Sequence, residues 1–138
     1  MLNVSPAGLW FTVKLPPISK KNHQQIFRPN GMNRPIVVPS KEYRLYEKNA
    51  MWFIPKGETI DYPVNVKCLF YMPTRRQCDL VNLQQSILDI MVKAGLLKDD
   101  NYRIVQSMDG SRVLYDKENP RTEVYITEAK AGADNATQ

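Results

Sequence analysis

The residues of this chain best suited to carry chemistry are Asp79, Asp89, Asp99 and Asp100. Carboxylate oxygens are the hard ligands that Mg²⁺ takes. A metal-dependent nuclease needs two or three of them around one phosphate, with cations to hold the strand. Arg75, Arg76 and Lys93 lie in the same stretch and can meet the second need. Each acid also has an ordinary structural reading. Asp79 stands at the N-cap position of an apolar-periodic segment. Asp99-Asp100 fits a turn, and Asp89 a solvated helix position. From these residues alone, both a catalytic cluster and a set of cap, turn and surface residues are open.

The elements that must position them follow from periodicity. Phe11, Val13 and Leu15 alternate with Thr12 and Lys14, a strand stopped by Pro16-Pro17. The polar run Ser19-Lys20-Lys21-Asn22-His23 reads as a positively charged loop. Ile26–Arg28 and Ile36–Val38 flank the turn signal Asn30-Gly31, a loose hairpin made irregular, or placed at a sheet edge, by Pro29 and Pro35. Ser40 caps a helix running to about Ile54, with Tyr43, Tyr46, Ala50, Phe53 and Ile54 on its apolar face. Lys41, Arg44 and Lys48 form a basic stripe on another face. Val64, Val66, Cys68, Phe70 and Met72 give the clearest strand of the chain.

Asp79 opens a second helix, Leu80 to Ala94. Its apolar face is Leu80, Leu83, Ile87, Met91 and Ala94, its polar side Asn82, Gln85, Ser86, Asp89 and Lys93, and Gly95 is a natural C′ residue. Strands at Arg103–Met108, Arg112–Tyr115 and Thr122–Thr127 close the pattern. The order β-β-β-α-β-α-β-β predicts an α+β fold. One domain is expected over residues 1–128, a mixed sheet with two main helices packed on it. The small, polar residues 129–138 are expected to be a disordered tail.

Composition narrows the function classes. The 138 residues, 43% hydrophobic, suffice for one core without disulfides or a structural metal. Cys68 and Cys78 form no CxxC pair and the single histidine, His23, is distant, so a Cys/His zinc site is not expected. The apolar runs fall short of the roughly 20 residues that span a bilayer, and no secretory signal is legible. A cytoplasmic protein with reduced thiols and no membrane partner is expected. Charge is uneven. Residues 1–56 carry nine Lys/Arg and two acids, net +7; residues 57–138 carry ten and twelve, net −2. The basic part suits a polyanion.

The spaced motif Asp79, Leu80, Asn82, Leu83, Asp89, Lys93-Ala94-Gly95 and Asp99-Asp100 resembles the RusA family of Holliday junction resolvases of phages and bacteria. Leu15-Pro16-Pro17 with Ser19-Lys20-Lys21-Asn22, and Ile126-Thr127-Glu128, resemble that family's opening and closing pieces. The resemblance implies a homodimer that binds four-way DNA junctions and makes paired cuts with Mg²⁺ or Mn²⁺. It implies Asp79 and Asp100 as catalytic metal ligands, with Asp99 beside them. DNA contacts are then expected from Lys20, Lys21, Arg75, Arg76, Asn82, Gln85 and Lys93, and from the stripe Lys41, Arg44 and Lys48. Two positions depart from the family: Val81 replaces a motif aspartate, and Gln85 a frequent lysine. A member that grips junctions but cuts weakly is the alternative expectation.

Overall fold

Strict alternation of Val64, Val66, Cys68 and Phe70 with Asn65, Lys67, Leu69 and Tyr71 makes a strand with one apolar face, and that strand organises the molecule. The computed structural model describes residues 4–5, 8–21, 24–28, 30–31 and 34–129. Its strands are β1 (Val4–Ser5), β2 (Gly8–Val13), β3 (Gln24–Phe27), β4 (Ile36–Pro39), β5 (Val64–Met72), β6 (Val105–Ser107), β7 (Arg112–Tyr115) and β8 (Arg121–Glu128). Its helices are α1 (Lys41–Ala50), continued by a 3₁₀ turn over Met51–Phe53, and α2 (Leu80–Lys93).

The main sheet runs β1-β2-β8-β5, with β6 and β7 sharing the far edge of β5. The pairs β1–β2, β2–β8 and β8–β5 are antiparallel, whereas β6 and β7 lie parallel to β5. A parallel neighbour needs a crossover, and α2 supplies it. The edge is broken between β6 and β7, and the Asn65 side chain spans the break. Its Oδ1 accepts from Ser107 Oγ at 2.6 Å and from the Asp109 amide at 2.8 Å. The mixed α+β architecture with two helices is the expected one. The hairpin β3–β4 forms a separate two-stranded sheet and not an edge of the main one.

Inward residues of the strands meet Tyr43, Tyr46 and Ala50 of α1 and Leu83, Ile87, Ile90 and Met91 of α2 in one core. The expected reading of Tyr43 and Tyr46 as core residues holds, since both are buried. Cys68 lies at the centre as a free thiol, and burial pushes it up to about 12. Cys78 is also free, so no disulfide joins the pair.

Helix boundaries shift slightly from expectation. Ser40 Oγ accepts from the Tyr43 amide at 3.1 Å, the expected cap. The α-helical part ends at Ala50, because the next turn tightens to 3₁₀. Gly95 ends α2 at φ 84°, a conformation only glycine takes without strain. The strand expected over Phe11–Leu15 is β2, which begins at Gly8 and stops at Val13, leaving Leu15 in the loop that follows. His23 and the tail from residue 130 lie outside the described residues. Ala129 is tied back through its amide to Pro63 O at 2.9 Å.

The turn before β8 carries a pH-dependent clamp. The Asp116 carboxylate accepts from the amides of Asn119 at 3.0 Å and Glu118 at 3.1 Å, and from Arg121 Nη1 at 2.9 Å. The Asn119 amide first, then the Arg121 guanidinium, holds it below its ordinary value of 3.8. A carboxylate depressed in the folded state stabilises above its unfolded value and loses that contribution as pH falls through the folded one. Asp116→Asn is therefore expected to lower the thermal midpoint at neutral pH, with the gap to wild type closing in acid. Thermal melts across pH check this, and a gap that widened in acid would contradict it.

Candidate active site

Asp79 occupies the N-cap position of α2, as expected, but its side chain makes no capping bond. The residue is extended, with φ −96° and ψ 120°. Its Oδ2 instead accepts from Asn82 Nδ2 at 3.2 Å. The carboxylate is exposed and lines a cleft of about 1030 Å³. Three walls make the cleft: the Leu15–Ser19 loop, the Glu42/Leu45/Asn49 side of α1, and the segment from Met72 to Asp79. The last leaves the carboxyl end of β5, where open sheets with crossover helices place their ligand crevices.

Each wall has a visible support. Pro16-Pro17 stiffens the first and Pro17 is buried beneath it. The Lys20 amide donates to Ser86 Oγ at 2.8 Å, tying that loop to α2. Arg75 lies over the Tyr115 ring at 4.1 Å from its centroid, which holds the third wall against β7. Lys93 Nζ sits 2.9 Å from Glu47 Oε2, a bond between α2 and α1.

The second acidic group stands beyond the other end of α2. Leu97 bridges to Ile60, and the Lys98 amide donates to Ile60 O at 3.0 Å. Asp99 Oδ1 accepts from the Asp100 amide at 2.7 Å and Oδ2 from Asn101 Nδ2 at 3.0 Å. The Asp100 carboxyl is held above its usual range, first by lost hydration, then by the Asp99 side chain and the charge of Asp89. The chain thus doubles back after Gly95 far enough to bring Asp100 under the influence of Asp89. Asp89 is ten residues from Asp79, about 15 Å of helical rise.

These donors suit Mg²⁺ in kind. It takes one or two protein carboxylates and completes its octahedron with water and substrate phosphate. Among the described residues, no three His, Cys, Asp or Glu side chains gather as a group able to hold a metal. Asp79 lines the cleft, and Asp99-Asp100 follow the C-terminal end of α2.

The other expected contact residues are distributed as follows. Arg76 lines the cleft. Lys21, Gln85, Lys41, Arg44 and Lys48 are exposed, and Lys20 is half-buried. Asn82 is only 7% exposed and Ser86 3%, so part of the side of α2 read as polar surface is covered, while Gln85 and Lys93 stay exposed. The Lys20 amide bonds to Ser86, a contact between residues 66 apart that helical periodicity does not reveal. Val81, in the first turn, is 68% exposed. Leu45 and Asn49 of the cleft wall were not among the expected residues; alternation with the core positions Tyr46 and Ala50 was the available signal.

An acid-bearing cleft beside a crossover helix, rimmed by arginine, suits a polyanionic substrate met together with a cation. Residues 14–127 match the family described as Endodeoxyribonuclease RusA, and the chain belongs to that family. It is 34% identical over 88 residues to the crossover junction endodeoxyribonuclease RusA of Aquifex aeolicus, covering 62% of this chain and 66% of that one. It is 37% identical over 75 residues to the protein so named from Enterobacteria phage 82, covering 49% of this chain and 62% of that one. For the Escherichia coli K12 protein of that name the figures are 35% over 82 residues, 54% and 68%. The match thus spans a little under two thirds of the length of the Aquifex and phage relatives. Among the described residues no helix is long and apolar enough to cross a membrane.

Proposed function

We propose that this protein is an endodeoxyribonuclease that binds four-way DNA junctions and resolves them by paired strand cuts. The observation that carries the reading is the uncapped Asp79 carboxylate, which structural need leaves exposed at the cleft. Asp79 and Asp100 would each offer a carboxylate to Mg²⁺ or Mn²⁺, whose shell water and substrate phosphate complete without a third protein ligand. The ion supplies a water nucleophile and neutralises charge on the phosphate. Arg76 at the cleft holds the strand, and Asn82 fixes the orientation of Asp79. Asp100, whose carboxyl is raised by lost hydration first and by the nearby acids after it, gains relief when a cation arrives. Two copies acting about a two-fold axis would match the symmetry of a junction and give one cut in each of two opposing strands. The setting is cytoplasmic DNA, in keeping with two free thiols.

The deciding experiment is incubation with a synthetic four-way junction and Mg²⁺ or Mn²⁺. Symmetric nicks in opposing strands are expected, absent from linear duplex. No cutting at any metal concentration would end the enzyme reading. A second reading is favoured by Val81 and Gln85, which put an apolar and a neutral group where charge is expected. On it the protein grips junctions and cuts weakly, and junction affinity well above duplex affinity without nicking is its signature.

Phosphate contact by α1 has its own measurement. Lys41, Arg44 and Lys48 are exposed, with no ion-pair partner among the described residues. Neutralising all three to glutamine is expected to flatten the log–log salt dependence of DNA affinity by about 2 to 3 units. An unchanged slope would remove the stripe from the interface.

A further inference from the structure

We propose that the indole of Trp52 is a stacking platform for an unpaired nucleobase of bound DNA, mounted at the end of the cationic stripe of α1. This rests on the DNA-binding part of the proposed function. Trp52 is 84% exposed, the most exposed of the large apolar side chains among the described residues. It is not on a loose segment. Met51 and Phe53 on either side pack against the core, Ile54 is buried, and the Ile54 amide donates to Met51 O at 3.3 Å. The 3₁₀ turn is therefore anchored, and only the indole is held out.

Its place on the helix matters. Lys41, Arg44, Lys48 and Trp52 follow one another at spacings of three, four and four, which keeps them on one exposed face. A row of cations ending in a flat aromatic ring matches a strand of phosphates with one free base. Ammonium and guanidinium groups track the backbone, and the ring covers a base face whatever the sequence. Fully paired duplex has no such face to offer. A branch point, where stacking is interrupted, does.

A second copy of the chain is the competing occupant. Isologous pairing through this face would set the stripe against itself, cation to cation. DNA brings the opposite charge, and that complementarity selects it.

The test uses full-length protein with Trp10 changed to phenylalanine, leaving Trp52 as the sole indole. The probes are a thymidine 15-mer, a four-way junction and a paired duplex, with binding followed separately by the anisotropy of a dye on the DNA. Quenching of Trp52 emission is expected with the single strand and the junction and is weak with duplex. In the parent protein, Trp52→Ala is expected to weaken single-strand affinity about tenfold and Trp52→Phe much less, because a ring remains. Circular dichroism establishes that both variants fold. Unchanged Trp52 emission while anisotropy reports saturated single strand would overturn the platform and leave the junction reading standing. Loss of self-association in Trp52→Ala, measured by sedimentation, would assign the indole to a second copy instead. Absence of binding to any of the three DNAs would overturn the platform and the junction reading together.

Discussion

Asp79→Asn is expected to slow junction cutting by on the order of a thousandfold, with junction binding largely kept. Asparagine retains the shape of the side chain and can still accept from Asn82. It is as good an N-cap residue as aspartate, so α2 should not loosen. What it lacks is the anionic oxygen pair that a hard cation needs. A metal ion is worth several kcal/mol of charge stabilisation, and each 1.36 kcal/mol is a factor of ten in rate, which sets the scale of the loss. Single-turnover cleavage of a labelled junction gives the rate, and a gel shift with the same junction gives the affinity. Unchanged nicking would show that Asp79 is not in the machinery. A matching loss of affinity would point to a role in holding DNA.

The opposite change is expected at Val81. Val81→Asp should raise cutting at limiting Mg²⁺ by at least about tenfold, because a further carboxylate reaches the metal. Three features make the substitution tolerable. Val81 is 68% exposed, so little apolar burial is lost. It lies in the first turn of α2, where a negative charge is favourable by roughly 0.3–1 kcal/mol. Asp79 is extended rather than helical, so the two side chains are not held apart by helical geometry. Metal titration of the cutting rate is the measurement. A gain confined to thermal stability would mean that the new carboxylate only complements the helix dipole.

Much of this arrangement was legible in the residues. The alternation from Val64 to Met72 is that of a strand packed on one face, and it became the centre of the sheet. Ser40 and Gly95 marked helix ends by local chemistry, which sequence carries directly. Long-range contacts were not legible. Asn82 and Ser86 fall on the polar side of the helical repeat, yet both are buried, and the Lys20 amide bonds to Ser86. Nothing near residue 86 announces that the amide of residue 20 will donate to it. Lys93 likewise reads as a free cation until Glu47, on the other helix, takes its charge. The acids were identified as a set, but their grouping was not. The pinning of Leu97 and Lys98 to Ile60 decides where Asp100 stands, and it is a tertiary contact between segments that look like ordinary connectors. The fate of the Asp79 side chain was similarly hidden, since an N-cap position does not by itself say whether the carboxylate is used for capping.

The position of β8 has a consequence for the life of the molecule. It pairs with β5 on one side and with β2 on the other, so residues 121–128 join the two halves of the main sheet. Leu9 meets Ile126 across a separation of more than a hundred residues. Contacts so distant along the chain form late and slowly. During synthesis β2 has no partner in the main sheet but the two-residue β1 until β8 has left the ribosome. The cleft that holds Asp79 has the loop after β2 as one wall and the segment after β5 as another. The two walls are therefore brought together only once β8 has joined β2 to β5.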